Sequence, residues 1–333
     1  MYSTDLSSIA ISDIKRRSGF EVVSHPGIEH LRAGYFCRPD VSISGDAPKD
    51  FLRIYSYGRK HKVRMQEWPA YIAKVGHKFY PNESITEHLL TRIGQLLGLQ
   101  MANSRLMWVR RQLRFLSEYF LRKDESLIHG AEIFAGYLAD EKFVDQVGQE
   151  RMEREIFTFQ VVEDAVMSRF PDHAEEIMRG FVRLLGFDTI IGNNDRHHFN
   201  WGVVTQIAGK RPPRFSPIYD TARGLLWNTD EAGLKAQEPR IDQYLDRYVR
   251  ECYPMLGWDG VGKPNHFEVT RKIVDRFPAY AKDMLGLVQL DLVEKVDRLL
   301  ETEFKNLFSS RRKRFILKCL RKRAEIYADV VTR

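Results

Sequence analysis

The sequence predicts an α+β protein of two lobes, a small β-rich lobe over residues 1–120 and a larger, mainly helical lobe over 121–333. Three observations predict it. Short apolar or alternating runs bounded by Gly, Pro, Ser and Asp are concentrated before residue 120, which is the pattern of strands. From about residue 140, apolar residues recur at spacings of three and four, the helical period. A polar loop, Asn193 to Asn200, then interrupts the helical part and is followed by strand-like runs ending at Asp220.

The elements follow in order. Phe20-Glu21-Val22-Val23 reads as a short strand, and His25-Pro26-Gly27 as a turn. Val41 to Ile54 reads as strand, loop, strand. A Gly in such a loop lets backbone N–H groups approach a phosphate, and Lys49 adds charge, although a plain hairpin explains the same residues. Trp68 to Val75 is a strand with Lys74 embedded among apolar residues, where an ammonium needs a partner or a ligand. Ser84 to Leu99 has helical spacing at Ile85, Leu89, Leu90, Ile93, Leu96 and Leu97, with cap-type residues Pro81 to Ser84 before it and Glu87 expected in its first turn. Leu106–Val109 and Leu113–Phe120 read as two strands around Arg110-Arg111-Gln112, and Glu118-Tyr119-Phe120 as a hinge between lobes.

The pattern then turns helical. Glu175 to Ile191 carries one apolar face and delivers the chain into the Asn193–Asn200 loop. Trp201–Val204 is a strand, and a second strand ends in Pro217-Ile218-Tyr219-Asp220. Thr221 to Leu225 is too short for a long regulatory loop. Trp227 to Tyr253 reads as loop then helix. Residues 265–333 are helical with a break at Pro278, and Phe304, Leu307, Phe308, Phe315, Ile316, Cys319 and Leu320 are core positions.

Composition narrows the class. The chain has 333 residues, 43% of them hydrophobic, and a mean hydropathy of −0.40, ordinary for a globular chain with a sizeable core. It has no run of eighteen apolar residues, so no transmembrane helix is expected. Residues 1–17 lack the apolar core of a signal peptide, which makes the cytoplasm the expected location. Cys37, Cys252 and Cys319 are odd in number and far apart, fitting neither a disulfide framework nor a zinc cluster. The net charge is +7, with excess in Arg311–Arg314 and Arg321–Arg323. Such a surface suits nucleic acid or an acidic partner, and a solvated helix face equally well.

Chemistry points to phosphoryl transfer. That reaction needs a positioned nucleophile and neutralised phosphate charge rather than covalent work by the protein. In the loop, Asp195 can accept the proton of an attacking hydroxyl. Asn200, five positions on, and Asp220 after the strands supply hard oxygen ligands suited to Mg²⁺. A strand Lys (Lys74) followed by a helix Glu (Glu87) is the kinase arrangement for holding nucleotide phosphates. Taken alone, an Asp and an Asn five apart also occur in ordinary turns.

The segment from Val41-Ser42-Ile43-Ser44-Gly45 to Lys49, Tyr71-Ile72-Ala73-Lys74, Glu87, the loop with Asp195 and Asn200, and Pro217-Ile218-Tyr219-Asp220 together resemble the HipA family of bacterial serine/threonine protein kinases, over about residues 40–225. Its compact HipT-type members, with a Ser-Ile-Ser element, are the most similar. The resemblance implies a bilobal protein-kinase-like fold and dependence on ATP and Mg²⁺. It implies Asp195 as catalytic base, Asn200 and Asp220 as metal ligands, and Lys74 on the α/β-phosphates with Glu87. It implies a phosphate loop over Ser44, Gly45, Asp46, Ala47, Pro48 and Lys49, and a nucleotide hinge at Glu118, Tyr119 and Phe120. His197 and Tyr219 fall in the nucleotide site, and Ser42 and Ser44 become autophosphorylation sites. Arg196 replaces a glycine of some relatives, and Asp46 and Pro48 depart from the commoner Gly-x-Gln loop. A toxin or secreted effector is implied, acting in the bacterial or a host cytoplasm. Its substrate would be a protein such as an aminoacyl-tRNA synthetase or another translation factor, and an antitoxin is a possible partner. Two other classes share part of the pattern: a small-molecule or lipid kinase, and a non-catalytic basic binding module. The Ser-Ile-Ser element favours a protein kinase over the first. The intact set Lys74, Asp195, Asn200 and Asp220 favours catalysis over the second.

Overall fold

The computed structural model describes residues 18–22, 25, 27–40, 48–56, 62–109, 112–140, 142, 147 and 152–333. Ser42, Ser44, Gly45, Asp46 and Ala47 lie outside the described residues. Six strands form one sheet in the order β1-β5-β6-β4-β3-β2: β1 (Glu29–His30), β2 (Phe36–Cys37), β3 (Lys49–Ile54), β4 (Ala70–Lys74), β5 (Ser104–Val109) and β6 (Gln112–Glu118). Every pairing is antiparallel except β1 with β5. Phe20–Val22 contributes no strand, in contrast to the sequence expectation.

Side-chain alternation gives the sheet two different faces. One face packs Leu52, Ile54, Tyr71, Ala73, Met107, Val109 and Leu116 into a small core of its own. A buried ion pair, Arg114 Nη1 to Asp50 Oδ2 at 2.5 Å, lies on the same face. The other face meets helix α1 (Asn82–Leu96), whose Ile85, Leu89, Leu90 and Ile93 are fully buried. The helix starts two residues earlier than the apolar spacing suggested, which moves Glu87 from the first turn to the second. The core under α1 runs without a break into the helical part, reaching Leu225, Leu226, Phe304 and Phe308.

Beyond β6 the chain forms a second, three-stranded sheet, β7 (Glu125–His129), β8 (Gly202–Gln206) and β9 (Arg214–Phe215), in the order β7-β8-β9. Around it stand α2 (Gly130–Leu138), α3 (Glu153–Ile156), α4 (Phe159–Arg169), α5 (Ala174–Ile191), α6 (Glu231–Gln237), α7 (Ile241–Arg250), α8 (His266–Arg276), α9 (Pro278–Leu285), α10 (Leu292–Thr302) and α11 (Ser310–Thr332). Pro278 opens α9 at its first position, where its missing N–H costs nothing. The expected strand ending at Asp220 is absent: Ile218 makes an isolated bridge to Met101, and β9 stops at Phe215.

Helix α5 does most to position the site. Its apolar stripe buries Ile177, Phe181, Leu184, Leu185 and Ile190. It ends at Gly192, whose φ of +69° is the left-handed conformation that releases a helix. A side chain there would also stand 3.0 Å from the Arg323 guanidinium. Arg323, from α11, is fully buried, and its Nε donates to the Thr189 carbonyl at 2.8 Å. A cation at the carbonyl end of α5 opposes the helix dipole.

The basic run of α11 is not a bare cationic face. Arg311 meets Glu238 at 2.9 Å, Arg312 meets Glu231 at 2.8 Å, Lys313 meets Glu301 at 2.9 Å and Lys318 meets Asp242 at 3.0 Å. Arg314 and Lys322 pair with Glu238 and Asp246. The excess charge of this stretch therefore goes largely to docking α11 on α6, α7 and α10. Among the described residues no helix is long and apolar enough to cross a membrane.

Candidate active site

Lys74 closes β4 where the sheet meets α1 and the segment that carries Asp220. Its Nζ lies 3.0 Å from Glu87 Oε1 on α1 and 2.9 Å from Asp220 Oδ1 on the far side. Burial opposes its charge, but the two carboxylates outweigh that and hold the ammonium protonated above its ordinary range. The acids share one cation unequally. Burial pushes Glu87 up to about 7, with Lys74 opposing. Burial works the same way on Asp220, yet Lys74, then Lys49 and Arg196, bring it down to about 2. Burial is the largest single influence on Asp220, and the summed pull of the cations outweighs it. Lys49 enters through register: it pairs directly with Lys74 across β3 and β4.

The Asn193–Asn200 loop is tied together by its own amides. Asn193 is fully buried; its Nδ2 donates to Asp188 Oδ1 at 3.0 Å, and its Oδ1 accepts from the Asp195 N–H at 3.3 Å. Asn200 Nδ2 donates to the Asp195 carbonyl at 2.8 Å. That bond fixes the amide so that its carbonyl oxygen, Oδ1, is the atom left for a ligand. His197 Nδ1 accepts from the Phe199 N–H at 3.3 Å, a contact within the loop. The Asp195 carboxylate meets Arg223 Nη1 at 3.0 Å. Burial raises its pKa, with Arg223 and His197 opposing.

Arg196, whose role the sequence left open, holds the loop to its surroundings. Nε and Nη2 fork onto the Asp188 carboxylate at 2.8 and 3.1 Å. Nη1 donates to the carbonyls of Asn200 and Tyr219, both at 2.7 Å. This side chain and Asp188 are both almost fully buried. One guanidinium thus joins α5, the loop residue Asn200 and the segment that presents Asp220. Asp220 itself sits at φ +55°, an uncommon conformation for a residue with a side chain. The sequence carried a signal for the pair: Asp188 is a carboxylate among the apolar residues of α5 and needs a buried cation.

At the expected hinge, Glu118 and Tyr119 donate their N–H groups to the Asn103 and Ala70 carbonyls. Phe120 stacks near Tyr219, ring centroids 5.9 Å apart. Tyr219 Oη lies 3.0 Å from His129 Nδ1 and donates to the Phe199 carbonyl at 3.1 Å. His129 and the exposed Phe199 line this corner of the site and were not singled out in the sequence. Of the expected phosphate loop, Pro48 and Lys49 are described, and the Pro48 carbonyl accepts from the Val75 N–H at 3.1 Å.

The donor set fits a hard divalent cation. Asp220 offers a partly exposed carboxylate and Asn200 an amide oxygen. Mg²⁺ is commonly held by one or two such groups with phosphate oxygens completing the shell. Among the described residues no group of three or more His, Cys, Asp or Glu forms a self-sufficient metal site.

A family model for the HipA-like C-terminal domain matches residues 41–277. No curated protein matches the sequence. Among solved structures, the Helicobacter pylori proinflammatory kinase CtkA is similar at a TM-score of 0.73 and 16% identity, over 91% of this chain and 96% of that one. HipA of the Shewanella oneidensis MR-1 toxin–antitoxin system, in its complex with HipB and operator DNA, gives a TM-score of 0.49 at 16% identity, over 88% of this chain and 66% of that one. At this identity the first shows a common fold, a HipA-like kinase fold with mixed α and β structure.

Proposed function

The chain belongs to the HipA-like C-terminal domain family, and from that premise we propose that it is an ATP- and Mg²⁺-dependent serine/threonine protein kinase. The observation that carries the reading is the Lys74 ammonium bonded at once to Glu87 and Asp220, which stand on separate elements, with the Asp195 carboxylate close enough to Asp220 to feel its charge. A strand lysine bonded to a helix glutamate, with an aspartate on its other side, is the arrangement by which kinases hold nucleotide phosphates and their metal. Lys74, with Lys49 beside it, receives the nucleotide phosphates. Asp195 accepts the proton of the acceptor hydroxyl. Mg²⁺, held by Asn200 and Asp220 when bound, would neutralise the charge on the transferred phosphate. Phe120, after the two hinge residues whose N–H groups are taken, is the hinge position for the base, with Tyr219 and Phe199 beside it. Residues 1–120 and 121–333 serve as the two lobes. By family analogy the substrate is a protein of translation, the activity that of a toxin or effector, and an antitoxin a partner. Ser42 and Ser44 are autophosphorylation sites on the same analogy.

Incubation of the purified protein with γ-labelled ATP and Mg²⁺, beside Asp195→Ala, tests this. Label on Ser42 or Ser44 in the wild type alone is the expected result. A protein that arrives unphosphorylated, binds Mg·ATP and labels a small alcohol instead of any protein would replace the protein-kinase reading with a small-molecule one.

A further inference from the structure

The segment after Asp220 brings a second arginine to the catalytic carboxylate, and its situation differs from that of Arg196. Arg196 is buried and spends its donors on Asp188 and on backbone carbonyls. Arg223 is 32% exposed and makes one side-chain hydrogen bond among the described residues, Nη1 to Asp195 Oδ1 at 3.0 Å. A guanidinium has five donors, so most of this one remains unspent. Its position is nonetheless fixed. The guanidinium lies over the Trp227 ring, 5.2 Å from the centroid, and the Arg223 carbonyl accepts from the Asn194 N–H at 3.3 Å. The segment is laced to the catalytic loop at the residue preceding the base.

Location decides what such a group does. A hydroxyl that gives its proton to Asp195 must lie within about 3 Å of that carboxylate. The phosphorus it attacks lies one bonding distance further. A guanidinium touching the same carboxylate has its remaining N–H groups within reach of that space. Lys74 and Lys49 stand on the Asp220 side of the site, and Arg196 is spent on Asp188, so Arg223 is the cation that touches Asp195 itself.

We propose that Arg223 is a further catalytic residue, a guanidinium supplied in cis that donates to the phosphoryl group as it passes from ATP to the acceptor hydroxyl, an inference resting on the phosphotransferase reading above. In that step the bond from the acceptor oxygen to the γ-phosphorus forms, and the bond from that phosphorus to the β–γ bridging oxygen breaks. The electron pair leaves with ADP, the hydroxyl proton passes to Asp195, and Arg223 keeps its protons throughout. Before substrate binds, the same guanidinium rests on Asp195.

The test compares ground-state with transition-state binding. Calorimetry measures Mg·ADP binding to the wild type, Arg223→Met and Arg223→Lys, with and without aluminium fluoride as mimic of the transferring group. Arg223→Met is expected to bind Mg·ADP within about twofold of the wild type, to lose about a hundredfold or more of the affinity that aluminium fluoride adds, and to turn over ATP about a hundred- to a thousandfold more slowly. Arg223→Lys recovers part of both. Arg223→Ala, with millimolar guanidinium added, recovers turnover that Arg223→Met does not. Full aluminium fluoride affinity in Arg223→Met would overturn the assignment. Faster turnover in that variant would also overturn it and make the contact a latch on the base. A wild type that binds no Mg·ADP removes the phosphotransferase reading itself, whereas wild-type binding with unaffected variants removes Arg223 alone.

Discussion

Arg196→Met removes one side chain and disturbs three elements at once. The guanidinium makes two bonds to Asp188, at 2.8 and 3.1 Å, and two to the carbonyls of Asn200 and Tyr219, both at 2.7 Å. Asp188 is 1% exposed, so the substitution leaves a carboxylate in the interior with Asn193 as its remaining side-chain donor. Breaking a buried pair by removing one partner costs about 3–5 kcal/mol, and the two abandoned carbonyls add on the order of 1 kcal/mol each. Replacing both partners avoids the stranded charge. Asp188→Leu/Arg196→Met is therefore expected to be more stable than the sum of the single variants by about 2 kcal/mol or more. Urea unfolding followed by tryptophan fluorescence gives the four midpoints of the cycle. The double variant should fold yet bind Mg·ADP more weakly, because the carbonyls that Arg196 held belong to Asn200 and to the residue before Asp220. Arg196→Met within 1 kcal/mol of the wild type, or strictly additive single variants, would refute the assignment of Arg196 as the tie between loop and metal-binding segment.

Three other perturbations have expected outcomes. Lys74→Met loses two charge-assisted bonds and leaves Glu87 and Asp220 without their shared cation, so nucleotide affinity by calorimetry should fall about ten- to a hundredfold; an unchanged dissociation constant would remove Lys74 from the phosphate site. Gly257→Ala places a methyl group 1.7 Å from the backbone oxygen of Arg154 and should destabilise the chain by at least about 1–3 kcal/mol in thermal melts, since backbone has no rotamer with which to yield; a melting temperature equal to the wild type's would show that the α3 segment moves freely. His266 is buried, its Nε2 makes no hydrogen bond among the described residues, and burial followed by the charge of Arg323 keeps its pKa well below the ordinary histidine range. The unfolded chain therefore takes up a proton near pH 6.5 that the folded chain refuses, and stability falls as pH drops below that value, by up to about 1.4 kcal/mol per pH unit. His266→Leu should flatten the stability profile between pH 7 and 5, and parallel profiles for the two proteins would exclude His266 as the source.

The parts of the site legible in the sequence are those whose partners are close in the chain or follow a fixed element order. Asp195 and Asn200 share one loop, and the strand Lys74 with the helix Glu87 needs only β4 and α1 to be packed together. The structure brings that second pair to 3.0 Å. What the sequence did not reveal depends on distant burial. The basic run of α11 reads as a cationic surface until Glu231, Glu238, Asp242 and Asp246, some seventy to eighty residues earlier, are placed against it. Pro217-Ile218-Tyr219-Asp220 has the apolar character of a strand. Its Tyr219 carbonyl instead accepts from Arg196, and Asp220 turns to a positive φ that no extended pairing tolerates. Arg223 gave no periodic signal at all, since its meaning comes from the carboxylate it faces.

Helix α1 is held in the position that brings Glu87 to Lys74 at 3.0 Å. In a two-lobed phosphotransferase the helix bearing the Glu is the natural moving part, because it must bring one carboxylate to one strand. Here it is fastened to the helical part at both ends. Near its start Asn82 Nδ2 donates to the Trp227 carbonyl at 2.6 Å, and the Phe79 ring meets the Trp227 ring edge-on at 5.6 Å. Further along, His88 Nε2 and Arg92 Nε reach the two oxygens of Glu303 at 3.1 and 2.9 Å. Between these points Ile85, Leu89 and Leu90 are buried in a core that runs from the six-stranded sheet into the helical part. Swinging α1 outward would expose at least three fully buried aliphatic side chains, about 1.5–3 kcal/mol each, before any polar contact is counted. A cost of that size disfavours a switch worked by α1. Trp227 joins α1 to the Asp195 side of the site: its carbonyl accepts from Asn82 at the helix start, and its ring lies under the Arg223 guanidinium that meets Asp195.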